Sequence, residues 1–202
     1  MKDKTDKTDI VLKLISEVKD LLEKDSYIGA LALSLMLPDV CGKAESPNEK
    51  GNKARYTFWY DTYIGRYEKA RAKSDDPEFR DRPYLSGEVV YYLRCSFLHE
   101  GLCAVDDSSI SNPQNKSVEF HLVIPKKEFL ACLRTETNIT YNQDGSVVSC
   151  EYFIDIPYLC SLICNVAEQY YWNNQASITA LKKNVNIIDE RVADEEDDEL
   201  DE

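Results

Sequence analysis

His99 and His121 are the only imidazoles in this 202-residue chain, so histidine-based proton transfer near neutral pH has to use one of them. His99 lies five residues after Arg94, in the segment LRCSFLHEG. A planar guanidinium can hold two phosphate oxygens at once, and an imidazole beside it can move a proton. Together they suit proton transfer at a phosphate group. His121 falls in the alternating run VEFHLVI, on the face opposite Phe120 and Leu122, and is expected to be exposed. The sequence offers no carboxylate cluster or thiolate set resembling a metal cage and no glycine-rich phosphate loop. Neither a metal nor a cofactor is expected.

The Arg-x4-His spacing sits at the end of an amphipathic stretch, with Leu93 before the Arg, Leu98 before the His and Gly101 after it. In this it resembles the motif of the HEPN superfamily, compact helical domains that include metal-independent endoribonucleases and toxins. The resemblance implies an up-and-down helical bundle in which His99 is the general acid or base and Arg94 stabilises the developing phosphorane charge. It also implies a homodimer, with an equivalent pair from each subunit lining a cleft, and RNA as the ligand. Beside the pair, Tyr91, Cys95 and Glu100 are the candidate substrate-binding residues: Tyr91 to stack a base or donate to phosphate, Glu100 to act on the imidazole. Cys95 stands where catalytic members often carry Asn, Asp or His, and Gly101 where some toxin members carry Tyr. The resemblance covers roughly residues 10–100 and the closing helix.

A structural reading stands beside the catalytic one. Arg94 at a helix end would pair with a carboxylate, and His99 would be favourably placed by the helix dipole. The chain would then be a catalytically inactive HEPN-like interaction module, engaging a protein partner or antitoxin.

One straight helix does not aim both side chains at one point. At about 100° per residue, positions five apart differ by roughly 140° around the axis. Convergence requires the reach of Arg, a loosened last turn near Gly101, or a second subunit.

The elements that position the pair are read from spacing. Val11, Leu14, Ile15, Val18, Leu21 and Leu22 recur at helical intervals, with Thr8 and Asp9 available as caps. YIGALALSLML, opened by Ser26, predicts a central helix ended by Pro38 and Gly42; its apolar run, Ile28 to Leu37, is too short to span a bilayer. After the linker AESPNEKGN a third helix is predicted from about Lys53 to Ala72, carrying Tyr56, Trp59, Tyr60, Tyr63 and Tyr67 mostly on one core-facing stripe. Residues 43–73 hold eight Lys or Arg against four Asp or Glu, which makes this stretch the best phosphate-facing candidate. The linker KSDDPEFRDR then leads to Pro83 at a helix start, and YLSGEVVYYLRCSFLHEG is the fourth helix, closed by Gly101.

Beyond Gly101 the loop DDSSISNPQNKS precedes a strand with Val118, Phe120, Leu122 and Ile124 on one face. Thr135–Tyr141 and Ser146–Ile154 alternate around NQDG, predicting a hairpin and a small antiparallel sheet. A last helix runs from Pro157 to about Asn174, with Leu159, Ile163, Val166 and Tyr170 on one stripe, and a weaker pattern continues to about Lys183. The expected architecture is mainly α: a helical bundle over residues 1–188 with a β insertion at about 118–154.

Composition fits a folded, cytoplasmic protein. Hydrophobic residues make up 43% and charged residues 30%, which argues against global disorder, and the start MKDKTDKTD has no apolar stretch of a secretory signal. Seven cysteines without a CxxC pair or Cys/His ladder read as reduced core residues. Residues 189–202 hold ten acidic residues and one Arg, so the net charge of −13 leaves only −4 for the 188 residues before them. Such a block reads as a disordered tail.

Overall fold

The computed structural model describes residues 10–73, 84–101, 104–105, 118–125, 136–143 and 147–181. Apolar residues at helical spacing form α1 (Ile10–Glu23), which buries Val11, Leu14, Ile15 and Val18. The all-round apolar segment forms α2 (Tyr27–Ser34) and, after a turn at Leu35 and Met36, α3 (Leu37–Glu45). Helical structure therefore continues past Pro38 instead of ending there. The proline occupies the first turn of α3, where its missing N–H has no intrahelical acceptor to lose. Tyr27–Glu45 is long and apolar enough to cross a bilayer, but Leu31, Leu35, Leu37 and Cys41 are fully buried against the rest of the fold, and the pair serves as core.

The third helical stretch is α4 (Asn52–Tyr60), a wide turn over Asp61–Gly65 and α5 (Arg66–Ala72). Tyr56, Trp59 and Tyr60 are completely buried, whereas Tyr67 is 55% exposed, so the aromatic stripe is core at its start and surface at its end. In the fourth stretch Tyr84–Ser86 are not helical, and α6 (Gly87–Cys95) is capped by Ser86, whose Oγ accepts from the Val89 N–H at 3.3 Å. Gly87 is required by close approach, since a Cβ there would lie 2.7 Å from the Thr57 carbonyl oxygen on α4. Its own N–H donates to Asp61 Oδ1 at 2.6 Å, tying the wide turn to the start of α6.

The strands are β1 (Ala104–Val105), β2 (Val118–Val123), β3 (Glu136–Tyr141) and β4 (Val147–Asp155), followed without a gap by α7 (Ile156–Asn173) and then α8 (Gln175–Leu181). The hairpin is present, with β3 and β4 antiparallel and Tyr141 opposite Val147. The sheet as a whole is mixed, not antiparallel: its order is β1-β2-β4-β3, and β2 pairs with β4 in parallel, Phe120 opposite Tyr152. After β2 the chain crosses to the far edge to form β3, so β4 returns in the direction of β2 and pairs beside it. Alternation fixes which face is apolar but not which strand lies alongside.

One sheet face, with Val118, Phe120, Cys150, Tyr152 and Ile154, is buried. It joins one continuous core with the helices, in which α7 packs against α1, α2 and α3 while α4 packs between α3 and α6. Asp155, the last residue of β4, caps α7 by accepting from the Tyr158 N–H at 2.9 Å. Leu159, Ile163 and Tyr170 of the predicted stripe are buried and Val166 is half-buried. Thr8, Asp9, Pro83 and the acidic block 189–202 lie outside the described residues.

Candidate active site

Arg94 and His99 occupy two different kinds of helical turn. Arg94 sits in the last turn of α6. His99 lies in the following segment, Ser96–Glu100, which is a π turn: the Gly101 N–H closes back onto the Ser96 carbonyl, five residues earlier. Gly101 ends the turn at φ 67°, the left-handed conformation in which glycine avoids a Cβ clash. An i→i+5 turn fits more residues into each revolution than an α-helix, so it reduces the angular separation that a straight helix would impose on the pair. The last turn before Gly101 is thus a loosened one. His99 is exposed, and among the described residues it makes no hydrogen bond or ion pair.

Arg94 is held far more firmly. Its Nη2 lies 2.6 Å from Asp39 Oδ2 on α3, with the two side chains only 20% and 25% exposed. Its Nη1 is 3.9 Å from Cys95 Sγ, its guanidinium carbon is 6.0 Å from the Tyr91 ring centre, and its buried Nε has no hydrogen-bond partner among the described residues. Burial by itself would lower the Arg94 pKa, but the Asp39 carboxylate and Cys95 outweigh it and the net shift is upward. Arg94 therefore stays a cation.

The surrounding helices complete the setting. Tyr91 meets Tyr56 of α4 edge-on at 5.4 Å, and the Tyr56 hydroxyl is buried with no hydrogen-bond partner among the described residues. Burial pushes that hydroxyl far above the usual tyrosine range, and nearby Asp39 adds to the effect. Burial also raises the Tyr91 pKa, followed by its contact with Cys95. On the α4 side, Lys53 Nζ bonds Glu88 at 2.8 Å and the Tyr92 hydroxyl at 2.7 Å.

Of the five residues singled out in the sequence, Arg94, Cys95 and Tyr91 thus form one half-buried cluster with Asp39 and Tyr56. His99 stands apart in solvent one turn further on. Glu100 ends the π turn, and its side chain lies outside the described residues. Asp39 went unnoticed in the sequence because it belongs to a different helix, and only the packing of α3, α4 and α6 brings it to Arg94. The basic stretch 43–73 presents Arg66 and Arg71 to a cleft of about 400 Å³ between the Asp61–Ala72 region and α7, alongside Tyr67, Tyr158 and Gln169. Arg66 stacks on Tyr67 at 4.7 Å, and Arg71 is paired with Glu68 at 3.1 Å; neither Arg94 nor His99 lines this cleft.

Among the described residues, three side chains could hold a metal ion together, Glu119, His121 and Glu151 on the outer face of the sheet. No family model, curated protein or solved structure matches this chain.

Proposed function

We propose that this chain is a metal-independent, HEPN-like endoribonuclease or RNA-binding protein that acts through Arg94 and His99 at a cleft between two copies. The observation that carries the reading is the π turn Ser96–Glu100, which holds His99 just past Arg94 and is closed by a left-handed Gly101. Wide turns of this kind interrupt helices at an energetic cost and recur at functional positions. A π turn places residues five apart at a smaller angle around the axis than an α-helix does, which favours a shared approach of the exposed imidazole and the fixed guanidinium to one phosphate. In the reaction, His99 takes the proton of the ribose 2′-hydroxyl, or returns one to the leaving 5′-oxygen from the second copy. Arg94 offsets the charge that builds on the phosphoryl oxygens. Substrate phosphate and Asp39 would share the Arg94 guanidinium, whose several donors allow both.

The test is cleavage of a mixed single-stranded RNA pool in EDTA, comparing wild type with His99→Ala and with the Arg94→Ala, His99→Ala double variant. Cyclic-phosphate ends that disappear with His99 are the expected result. Cleavage that continues unchanged in the double variant would remove the catalytic assignment.

The Arg94–Asp39 pair favours a second reading, in which the Arg joins α6 to α3 and the chain is a catalytically inactive interaction module. Specific co-purification with a protein, together with no RNA bound at low salt, supports that reading. Crosslinking of RNA to α6 counts against it.

A further inference from the structure

The parallel pairing of β2 and β4 assembles a group of side chains that their sequence positions give no reason to connect. Glu119 stands opposite Glu151 and His121 opposite Phe153. Because side chains alternate along a strand, these four share the sheet face that turns away from the core. The His121 ring stacks flat on Phe153, with centres 4.4 Å apart and planes 14° from parallel. This fixes the ring and directs its Nε2 between two carboxylates, 3.9 Å from Glu119 Oε1 and 3.9 Å from Glu151 Oε2. That nitrogen is shielded from solvent and has no hydrogen-bond partner among the described residues. A shielded ring nitrogen within ion-pair range of two carboxylates, yet hydrogen-bonded to neither, leaves its lone pair open to a cation that all three could share.

We propose that Glu119, His121 and Glu151 form a binding site for a first-row divalent transition-metal ion of the zinc type. The 3.9 Å separations are too long for an N–H···O hydrogen bond, which spans about 2.7–3.2 Å. Bonds of about 2.0–2.2 Å at tetrahedral angles place two ligands of one ion roughly 3.3–3.6 Å apart, a few tenths of an ångström closer than these atoms stand. All three potential ligand atoms lie within 4.8 Å of one another. The remaining closure falls to the glutamates, whose side chains are 61% and 41% exposed, so that a turn about the last bond brings each oxygen toward the ion. Imidazole as a ligand selects zinc, nickel or copper over magnesium and calcium, which prefer all-oxygen sets. Two carboxylates neutralise the ion's charge, and three protein ligands leave a coordination position open to water or to an incoming group. The site is separate from the Arg94–His99 cluster, and that reaction does not draw on it.

The experiment is a zinc titration of the full chain by calorimetry in excess Mg²⁺, which occupies the non-specific carboxylates of residues 189–202. It is repeated on His121→Ala and Glu151→Gln, each checked for folding by circular dichroism, with Co²⁺ spectra in parallel. One zinc per chain is expected, with no intense thiolate-to-cobalt charge-transfer band. Loss of a ligand should cost at least what loss of a supporting partner costs, so each variant should bind about 10–100-fold more weakly or worse. His99→Ala should bind as wild type does. No zinc bound by wild type, an affinity indifferent to both substitutions, or a thiolate band showing that cysteines hold the metal would each overturn the assignment. Glu151→Gln keeps shape and volume, so it answers the question even if His121→Ala fails to fold.

Discussion

The Arg94 guanidinium lies 2.6 Å from the Asp39 carboxylate, joining α6 to α3. An ion pair this sheltered penalises the loss of either member more than it rewards their union, because the remaining charge stays partly desolvated. Arg94→Ala and Asp39→Asn should therefore each destabilise the fold by about 1–3 kcal/mol, a figure reduced for the remaining solvent exposure. The double variant should be less destabilised than the sum of the two. Urea denaturation of all four proteins tests this, and additive losses would show that the pair is not coupled.

His99 makes the opposite prediction. Its side chain is exposed, with no hydrogen bond or ion pair among the described residues, so His99→Ala should change stability by no more than about 0.5 kcal/mol. Any loss of RNA cleavage in this variant would then report on chemistry. A large fall in its unfolding midpoint would instead reveal a structural role for the imidazole.

Gly87→Ala should destabilise by about 1–3 kcal/mol, the usual range for forcing an atom into a filled contact. The added methyl would meet the Thr57 carbonyl oxygen at 2.7 Å and the Thr57 Cα at 2.9 Å. Relief would require α6 to move away from α4, which would also lengthen the Gly87 N–H to Asp61 bond. Thermal unfolding measures the loss, and a neutral substitution would mean that the two helices separate at little cost.

Burial, the leading cause, pushes the thiols of Cys150 and Cys160 up to about 11 and that of Cys164 up to about 12, from an ordinary 9.0. Each pKa is higher in the folded state than in the unfolded chain, so the neutral thiol favours folding. This contribution is fully present below the ordinary value and is lost as pH rises through 9 toward the folded values. Melting temperature should fall across that alkaline window. Iodoacetamide at mildly alkaline pH should label half-buried Cys95 ahead of buried Cys41, Cys150, Cys160 and Cys164, with mass spectrometry of the digested protein giving the order.

Much of this was readable from spacing alone. The stripes of α1 and α7, the hairpin and the closing Gly101 follow from periodicity and turn chemistry, which act over a few residues. Pro38 misled because a proline stops a helix from inside but starts one from its first turn, and the sequence does not say where the turn falls. The parallel partnership of β2 and β4 was hidden for a related reason, since alternation assigns a face without assigning a neighbour. Arg94 and His99 stand out as candidates because no other Arg and His in the sequence share their spacing. Asp39, Glu119 and Glu151 gain their meaning only from tertiary contact, and no local pattern marks them.

α7 completes the core by packing against α1, α2 and α3, yet it follows the whole sheet in the chain. On a ribosome the apolar sides of α2 and α3, with Leu31, Leu35, Leu37 and Cys41, emerge more than a hundred residues before Ile163 and Ala167 arrive to cover them. At about 5–20 residues per second, that surface waits on the order of 10 s without its cover. The nascent chain is thus a natural client for chaperones that grip exposed apolar helices, and a chain truncated before α7 should aggregate rather than persist as a smaller bundle.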